Sequence, residues 1–148
     1  MSNETILLVE DNPDDLALAL RALKKGNVGK KIVVARDGVE AIEYLFPRNG
    51  RSSMLETPQL VVLDLKLPKV SGLEVLRQIR ADERTRFLPV VILTTSNEQQ
   101  DIVNCYNNGA NSYIRKPVDF DRFYEVIKQV GTYWLGLNES MPKGSLVR

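Results

Sequence analysis

The sequence contains no histidine, and its 148 residues include a single cysteine, Cys105. The lack of histidine excludes His-based triads, histidine zinc sites and a phosphohistidine on this chain. A single cysteine cannot form an internal disulfide, which favours a reducing compartment, so we expect a cytoplasmic protein. No apolar run approaches the roughly 20 residues that a membrane span requires. The first four residues, Met-Ser-Asn-Glu, also lack the basic and apolar regions of a signal peptide.

An excess of charge of either sign is also absent. The chain has 20 Lys and Arg against 19 Asp and Glu, a net charge of +1. A broad surface for nucleic acid or membrane would need a surplus of basic residues, so we expect neither partner. Hydrophobic residues make up 43% of the chain, which is enough for one core of ordinary size. The chemistry must therefore come from carboxylates, hydroxyls, lysines or a bound metal.

Short apolar runs alternate with amphipathic stretches along the chain. The runs predict buried strands at residues 6–9, 32–35, 60–63, 90–93 and 112–114. Helices are predicted in between, with starts at Pro13, Asp37, Ser71 and either Asp119 or Asp121. This alternation predicts an α/β fold, a doubly wound five-stranded parallel sheet with helices on both faces, and we expect the flavodoxin-like strand order 2-1-3-4-5.

The domain organisation is expected to be simple. Residues 1–135 form one predicted domain, and residues 136–148 a C-terminal tail whose last residues, 143–148, resemble a cloning remnant. A chain of this length leaves no room for a DNA-binding module after the domain, so we expect any output to act through protein contacts or onward phosphotransfer.

Polar residues follow four of the predicted strands, at the edge where ligands bind in open parallel sheets. They are Glu10 and Asp11, Asp64, Thr94, and Lys116. If the first and third strands are neighbours, the three carboxylates converge, and a hard divalent cation such as Mg²⁺ would offset their repulsion. With no Ser/His pair in the chain, a carboxylate is the obvious nucleophile. The pattern therefore predicts a phosphoryl-transfer site that forms an aspartyl phosphate.

From about Thr5 to Tyr133 the sequence resembles a receiver domain of the response regulators in bacterial two-component signalling. The motifs that carry the resemblance are Glu10-Asp11, Asp64-Leu65-Lys66-Leu67-Pro68 with Gly72, Thr94, and Lys116-Pro117. The resemblance implies that Asp64 accepts a phosphoryl group from a sensor histidine kinase. It also implies that Asp11, Asp64 and the backbone carbonyl of Lys66 bind Mg²⁺ or Mn²⁺, with Glu10 acting through a water molecule.

The same resemblance assigns the remaining roles at the site. Thr94 would hydrogen-bond one phosphoryl oxygen, and Lys116 would pair with another. Tyr113 matches an aromatic switch position that rotates inward when Thr94 moves, although simple packing within its strand is an alternative. The peptide bond between Lys116 and Pro117 is expected to be cis.

A finer resemblance concerns the partner. The run Leu63–Lys69, a long loop from Pro47 to Pro58 and the ending Tyr133-Trp134 resemble the stand-alone regulators paired with cyanobacterial phytochromes, the Rcp type. A phytochrome-type kinase is therefore the expected phosphoryl donor. Leu18, two residues from Leu16 on the first helix, is expected to face solvent. It would be either a kinase-docking residue or an ordinary exposed leucine.

A homodimer is the expected assembly. The last helix carries an apolar stripe that the sheet can bury, made of Phe120, Phe123, Ile127, Val130 and Trp134. Apolar residues remain off that stripe, so we expect a twofold interface on the fifth helix and the residues after it. The predicted interface residues are Tyr133, Trp134, Leu135 and Leu137. In the alternative, the tail folds back over the core of its own chain.

Two other functions compete with the signalling switch. One is a hydrolase of the haloacid-dehalogenase type, which also forms an aspartyl phosphate but carries a second Asp two residues after the nucleophile. Lys66 occupies that position here and counts against a hydrolase. The other is a receiver-like interaction module that is never phosphorylated, but such modules typically lack one of the residues that this chain retains.

Overall fold

The computed structural model describes residues 5–26, 30–47 and 57–142. In these ranges strands alternate with helices. The strands are β1 (Thr5–Val9), β2 (Lys31–Ala35), β3 (Leu60–Leu63), β4 (Val90–Thr94) and β5 (Ser112–Arg115). The helices are α1 (Pro13–Gly26), α2 (Gly38–Leu45), α3 (Gly72–Ala81), α4 (Gln99–Asn107) and α5 (Phe120–Thr132), and a π-helical turn (Tyr133–Leu137) continues α5. Most of the predicted loop from Pro47 to Pro58, and residues 143–148, lie outside the described residues.

The five strands form one parallel sheet in the order β2-β1-β3-β4-β5, which confirms the predicted fold class. Strand β1 pairs with β2 on one side and with β3, the central strand, on the other, and Val9 stands opposite both Ala35 and Leu63. The chain order therefore reverses between β1 and β3. In open α/β sheets this reversal opens a crevice at the carboxyl ends of the two strands.

Alternate side chains of each strand supply two separate cores. Leu7 and Val9 of β1 pack into the core that α2, α3 and α4 cover, whereas Ile6 and Leu8 pack into the core that α1 and α5 cover. Because helices cover both faces, β1, β3 and β4 are buried along their whole length. Cys105 is completely buried in the first core, as its position on an apolar helix face predicted.

Capping side chains set the starts of four helices. Asp37, Ser71 and Asp119 each accept a hydrogen bond from a backbone N–H in the first turn of α2, α3 and α5, as the sequence predicted, with Asp119 rather than Asp121 as the cap. Asn12, which the sequence reading did not single out, does the same for α1. Its Oδ1 accepts a hydrogen bond from the N–H of Asp15 at 3.0 Å. The N–H of Asn12 donates in turn to Glu10 Oε2 at 3.1 Å, which links the start of α1 to the residue that follows β1.

Leu18 is only partly exposed, so the prediction that it faces solvent is wrong. Its side chain is half-buried and packs against the core that α1 and α5 cover. Leu18 lies four residues before Ala22, which is completely buried, and residues four apart share one side of a helix. The prediction used the position of Leu16 alone as the buried side of the helix. The buried face of α1 is centred nearer to Ala19, which brings Leu18 closer to the core.

The middle of the predicted stripe on α5 is buried, whereas its last residue, Trp134, is only partly covered and its first residue is exposed. Phe123, Ile127 and Val130 lie in the core, but Phe120 is 68% exposed, so the prediction that the sheet covers it is wrong. Phe120 is the first residue of α5, and its side chain lies outside the core that Phe123 enters. None of the helices within the described ranges is long and apolar enough to cross a membrane.

The residues after α5 divide between core and surface. Leu135 is buried in the core of its own chain, and Trp134 packs partly against that core. The assignment of Leu135 to a dimer interface is therefore wrong, since the π-helical turn directs its side chain inward. Tyr133 and Leu137 are 48% and 71% exposed. At Leu135 and Trp134 the chain follows the alternative in which the tail covers its own core.

Candidate functional site

The side chains predicted to converge do meet at the carboxyl edge of the sheet. Glu10 directly follows β1, Asp64 follows β3, and Lys116 follows β5. The N–H of Asp64 donates to the carbonyl of Val9 at 3.2 Å, and the N–H of Lys116 donates to the carbonyl of Thr94 at 2.7 Å. These bonds continue the hydrogen-bond ladder of the sheet by one residue, so the sheet fixes the backbone positions of Asp64 and Lys116.

Lys116 lies at the centre of the site. Its Nζ is 2.9 Å from Glu10 Oε1, 2.8 Å from Asp15 Oδ2 and 3.1 Å from Asp64 Oδ2. A lysine ammonium has three N–H donors and can offer one to each carboxylate. The side chains of Lys116, Glu10 and Asp64 are all buried, with at most 8% of their surface exposed. The ammonium is thus the cation that offsets the buried negative charge.

Burial and the ion pairs shift two pKa values. Burial raises the pKa of Glu10 to about 7, against the opposing hydrogen bond from Lys116, and the charge of Asp64 adds to the rise. Burial by itself would lower the pKa of Lys116, but the hydrogen bonds to Asp15 and Glu10 outweigh it and hold that pKa above its ordinary value. Lys116 therefore remains charged at neutral pH.

Three carboxylates are arranged to hold a metal ion. One oxygen from each of Glu10, Asp11 and Asp64 lies within 4.8 Å of the other two. Glu10 and Asp64 are buried, while Asp11 is exposed to solvent. Clustered carboxylate oxygens are hard ligands, the kind that Mg²⁺ and Mn²⁺ prefer. The donor set therefore fits a divalent cation, which would supply positive charge to a phosphoryl group transferred at Asp64.

Thr94 on β4 and Tyr113 on β5 are linked through Ser96. Thr94 is completely buried, and its Oγ1 accepts from the N–H of Ser96 at 3.4 Å. The Tyr113 hydroxyl donates to the carbonyl of Ser96 at 3.0 Å, and Ser96 Oγ donates to Asp101 in the first turn of α4 at 2.6 Å. The Tyr113 hydroxyl is thus hydrogen-bonded to the backbone of Ser96. The switching role of Tyr113 stays a prediction.

The predicted cis bond between Lys116 and Pro117 is wrong. Every peptide bond in the described parts of the chain is trans. The trans form of an X–Pro bond is favoured by about 0.5–1 kcal/mol, and here the Lys116 ammonium reaches Asp64 with the bond in that form. At Lys66 the backbone N–H donates to Asp64 Oδ1 at 3.4 Å. This bond does not involve the Lys66 carbonyl, whose predicted role as a metal ligand stays a prediction.

Asp15 is a site residue that sequence reasoning missed. The pair Asp14 and Asp15 was interpreted only as favourable negative charge at the start of a helix. Helical spacing gave no signal for this role, because the other acidic site residues, Glu10 and Asp11, precede α1, which begins at Pro13. The contact of Asp15 with Lys116, 101 residues away in the chain, had no signal in the sequence.

The fold and the site together define a class of protein. A doubly wound sheet that places a buried aspartate beside a lysine and two further acidic residues at its carboxyl edge fits the chemistry of phosphoryl transfer to a carboxylate. The chain belongs to the response regulator receiver domain family, whose sequence model matches residues 6–128. This confirms the resemblance drawn from the sequence. Members of this family are generally signalling switches.

Several proteins are similar to this chain along most of their length. The probable methanogenesis regulatory protein FilR2 of Methanothrix harundinacea is 44% identical and covers 91% of this chain and 86% of its own. The response regulator Rcp1 of Synechocystis sp. is 33% identical over 89% of each chain.

Two solved structures share the fold. The crystal structure of the phosphorylated cyanobacterial phytochrome response regulator RcpA superimposes with a TM-score of 0.87 at 35% identity, covering 95% of this chain and 100% of RcpA. The Mn²⁺-bound form of Rcp1 superimposes with a TM-score of 0.87 at 30% identity, covering 94% and 99%. These similarities bear out the resemblance to Rcp-type regulators.

Proposed function

We propose that this protein is a response regulator that accepts a phosphoryl group on Asp64 from a sensor histidine kinase in a reaction that requires Mg²⁺ or Mn²⁺. Phosphorylation would then change which proteins it contacts, through Thr94 and Tyr113. The cytoplasmic location expected from the sequence is part of the same proposal. The function involves neither nucleic acid nor membrane directly.

One observation carries the proposal, the burial of Asp64 beside Lys116 within a cluster of acidic side chains. An Asp64 oxygen lies 3.1 Å from the Lys116 ammonium and within 4.8 Å of oxygens of Glu10 and Asp11. A nucleophilic carboxylate, a fixed cation and a place for a divalent metal are the parts that phosphoryl transfer requires. The buried hydroxyl of Thr94 supplies a donor for the new phosphoryl oxygens.

The direct test is phosphorylation by acetyl phosphate in the presence of Mg²⁺, followed by intact mass. We expect one added phosphoryl group on the unchanged protein and none on Asp64→Asn, because the amide is not a nucleophile. Asp14→Asn, which removes an exposed carboxylate from the same edge of the protein, is the matched control and should be phosphorylated normally.

Other outcomes of this experiment identify the competing functions. Acid-stable labelling of Asp64→Asn would place the phosphoryl group elsewhere. An unchanged mass of the unsubstituted protein would favour an interaction module that is never phosphorylated. Steady turnover of small phosphate esters would favour the hydrolase, although Lys66 stands where such an enzyme carries its second aspartate.

The metal requirement has its own test. Asp11→Ala removes one of the three clustered carboxylates. We expect the Mg²⁺ affinity to fall by about tenfold or more, because losses of this size are common even for residues that only support a metal ligand. Phosphorylation should weaken in parallel. Normal Mg²⁺ binding measured by calorimetry, together with a normal rate of phosphorylation, would contradict the metal site.

The kinase partner is proposed to be of the phytochrome type. RcpA is a cyanobacterial phytochrome response regulator, and its structure is similar over 95% of this chain. FilR2, which is also similar, is named as a methanogenesis regulator, so a kinase of a different sensory class is the alternative. Phosphotransfer profiling against phytochrome and non-phytochrome kinases decides between them. Leu18, although half-buried, remains a candidate for contact with the kinase through its exposed part.

A homodimer is also part of the proposal. Tyr133 and Leu137 leave apolar surface exposed after α5, and Trp134 is only partly covered. Tyr133 and Trp134 pack edge to face with their ring centroids 5.0 Å apart, which gives this surface a defined shape. A closed twofold pairing through Tyr133, Trp134 and Leu137 would cover it.

A further inference from the structure

Asp15 contributes to the site without belonging to the group of carboxylates that would bind metal. Its Oδ2 lies 2.8 Å from Lys116 Nζ, the shortest of the three contacts that the ammonium makes. Its own backbone is fixed, because its N–H donates to Asn12 Oδ1 at 3.0 Å. The Asp15 side chain is 23% exposed, so water reaches it while the Lys116 side chain stays buried at 6% exposure.

A divalent cation would change the surroundings of Lys116 but not this contact. Glu10 and Asp64 hold Lys116 and also belong to the cluster that fits the cation. A metal bound there would compete for their oxygens and would repel the ammonium. Asp15 lies outside that cluster, so it would remain the anionic partner of Lys116 when the other two are engaged.

We propose that Asp15 is a positioning residue for phosphoryl transfer, which holds the Lys116 ammonium beside Asp64 when the divalent cation is bound. This inference rests on the proposed function. In transfer from acetyl phosphate, an Asp64 oxygen forms a bond to phosphorus. The bond from phosphorus to the acetyl oxygen breaks, and its electron pair leaves with acetate. Lys116 forms no covalent bond and offers only charge and hydrogen bonds to the phosphoryl oxygens.

The test compares Asp15→Asn with Asp14→Asn, which changes the same charge one residue away on an exposed side chain. Two quantities are measured for each variant, the Mg²⁺ dissociation constant by calorimetry and the rate of phosphorylation at saturating Mg²⁺. We expect Asp15→Asn to lower that rate about tenfold, since small misplacements of a catalytic group have effects of that order or larger. Its Mg²⁺ affinity should not weaken, and Asp14→Asn should match the unsubstituted protein in both.

Rescue and a metal-free measurement complete the test. Asp15→Glu keeps the carboxylate and should recover part of the rate. Without metal, the ¹⁵N resonance of the Lys116 ammonium should shift in Asp15→Asn and stay in place in Asp14→Asn. An unchanged rate in Asp15→Asn would overturn the inference, and so would a loss of Mg²⁺ affinity as large as the loss of rate.

The inference and the proposed function fail in different ways. If the unsubstituted protein takes up no phosphoryl group, the proposed function fails and the positioning role fails with it. If that protein is phosphorylated normally and Asp15→Asn is phosphorylated equally fast, only the positioning role is overturned.

Discussion

Single residues show how burial can either prepare a titratable group for chemistry or make it unreactive. Lys116 and Asp64 are buried side by side, so each charge is offset and both are available to a ligand that enters the site. Cys105 is buried among apolar side chains instead. Burial raises the pKa of its thiol to about 11, and the charge of Asp101 adds to the rise. The same physical cause therefore has opposite consequences at the two places.

Alkylation of Cys105 tests this difference. At pH 8 a thiol with a pKa of about 11 is a reactive thiolate in only ~0.1% of molecules, so iodoacetamide should label the folded protein about a hundredfold or more slowly than the unfolded chain. Because the folded-state pKa is raised, the rate should keep increasing with pH beyond the ordinary thiol pKa instead of levelling off there. Rapid labelling of the folded protein at pH 8 would contradict the burial.

At the scale of elements, the start of α3 supports the loop that carries Asp64. The N–H of Gly72 donates to the carbonyl of Leu65 at 2.9 Å, and Ser71 caps the helix. A Cβ atom at Gly72 would overlap the carbonyl oxygen of Asp64 and the Cα of Leu65. The glycine is therefore required because the loop that carries Asp64 lies directly against the helix start.

Gly72→Ala is expected to damage stability and function together. Backbone atoms cannot move aside cheaply, so the free energy of unfolding should fall by about 1–3 kcal/mol, the usual cost of overpacking. Phosphorylation by acetyl phosphate should slow because Asp64 is displaced. Gly136→Ala is the matched control, since a Cβ at that position would meet no described atom from other parts of the chain within 4 Å. Urea denaturation that shows equal stability for the two variants would refute the steric account.

At the scale of the whole molecule, the proposed dimer covers the apolar surface that Tyr133 and Leu137 leave exposed after α5. Two positions serve as a matched pair, because Leu137 is 71% exposed at the proposed interface and Val118 is 95% exposed between β5 and α5. Leu137→Ser should shift the protein toward the monomer, and Val118→Ser should leave the dimer intact. Sedimentation velocity at micromolar concentration, with and without beryllofluoride as a phosphoryl mimic, measures both. A monomer in each condition for the unsubstituted protein would exclude the dimer.

Much of the site was already predictable from the sequence. Strands β1, β3 and β5 end directly before Glu10, Asp64 and Lys116, and β4 ends at Thr94. The topology rules for parallel sheets bring these strand ends to one edge. The caps Asp37, Ser71 and Asp119 were predictable for a similar reason, because a cap interacts only with the next few residues. Where an interaction is local, or follows from strand order alone, the sequence contains enough information.

The tertiary structure alone decided the features that depend on how elements pack. Asp15 meets Lys116 across 101 residues because the start of α1 lies beside the end of β5. Leu135 is covered and Leu18 partly covered because α1, α5 and the π-helical turn share one core, whereas the side chain of Phe120, on the same helix as Phe123, lies outside that core. A periodic pattern identifies the apolar face of one helix, but burial depends on the neighbour that covers this face. Which element covers the face depends on contacts between segments that are distant in the chain.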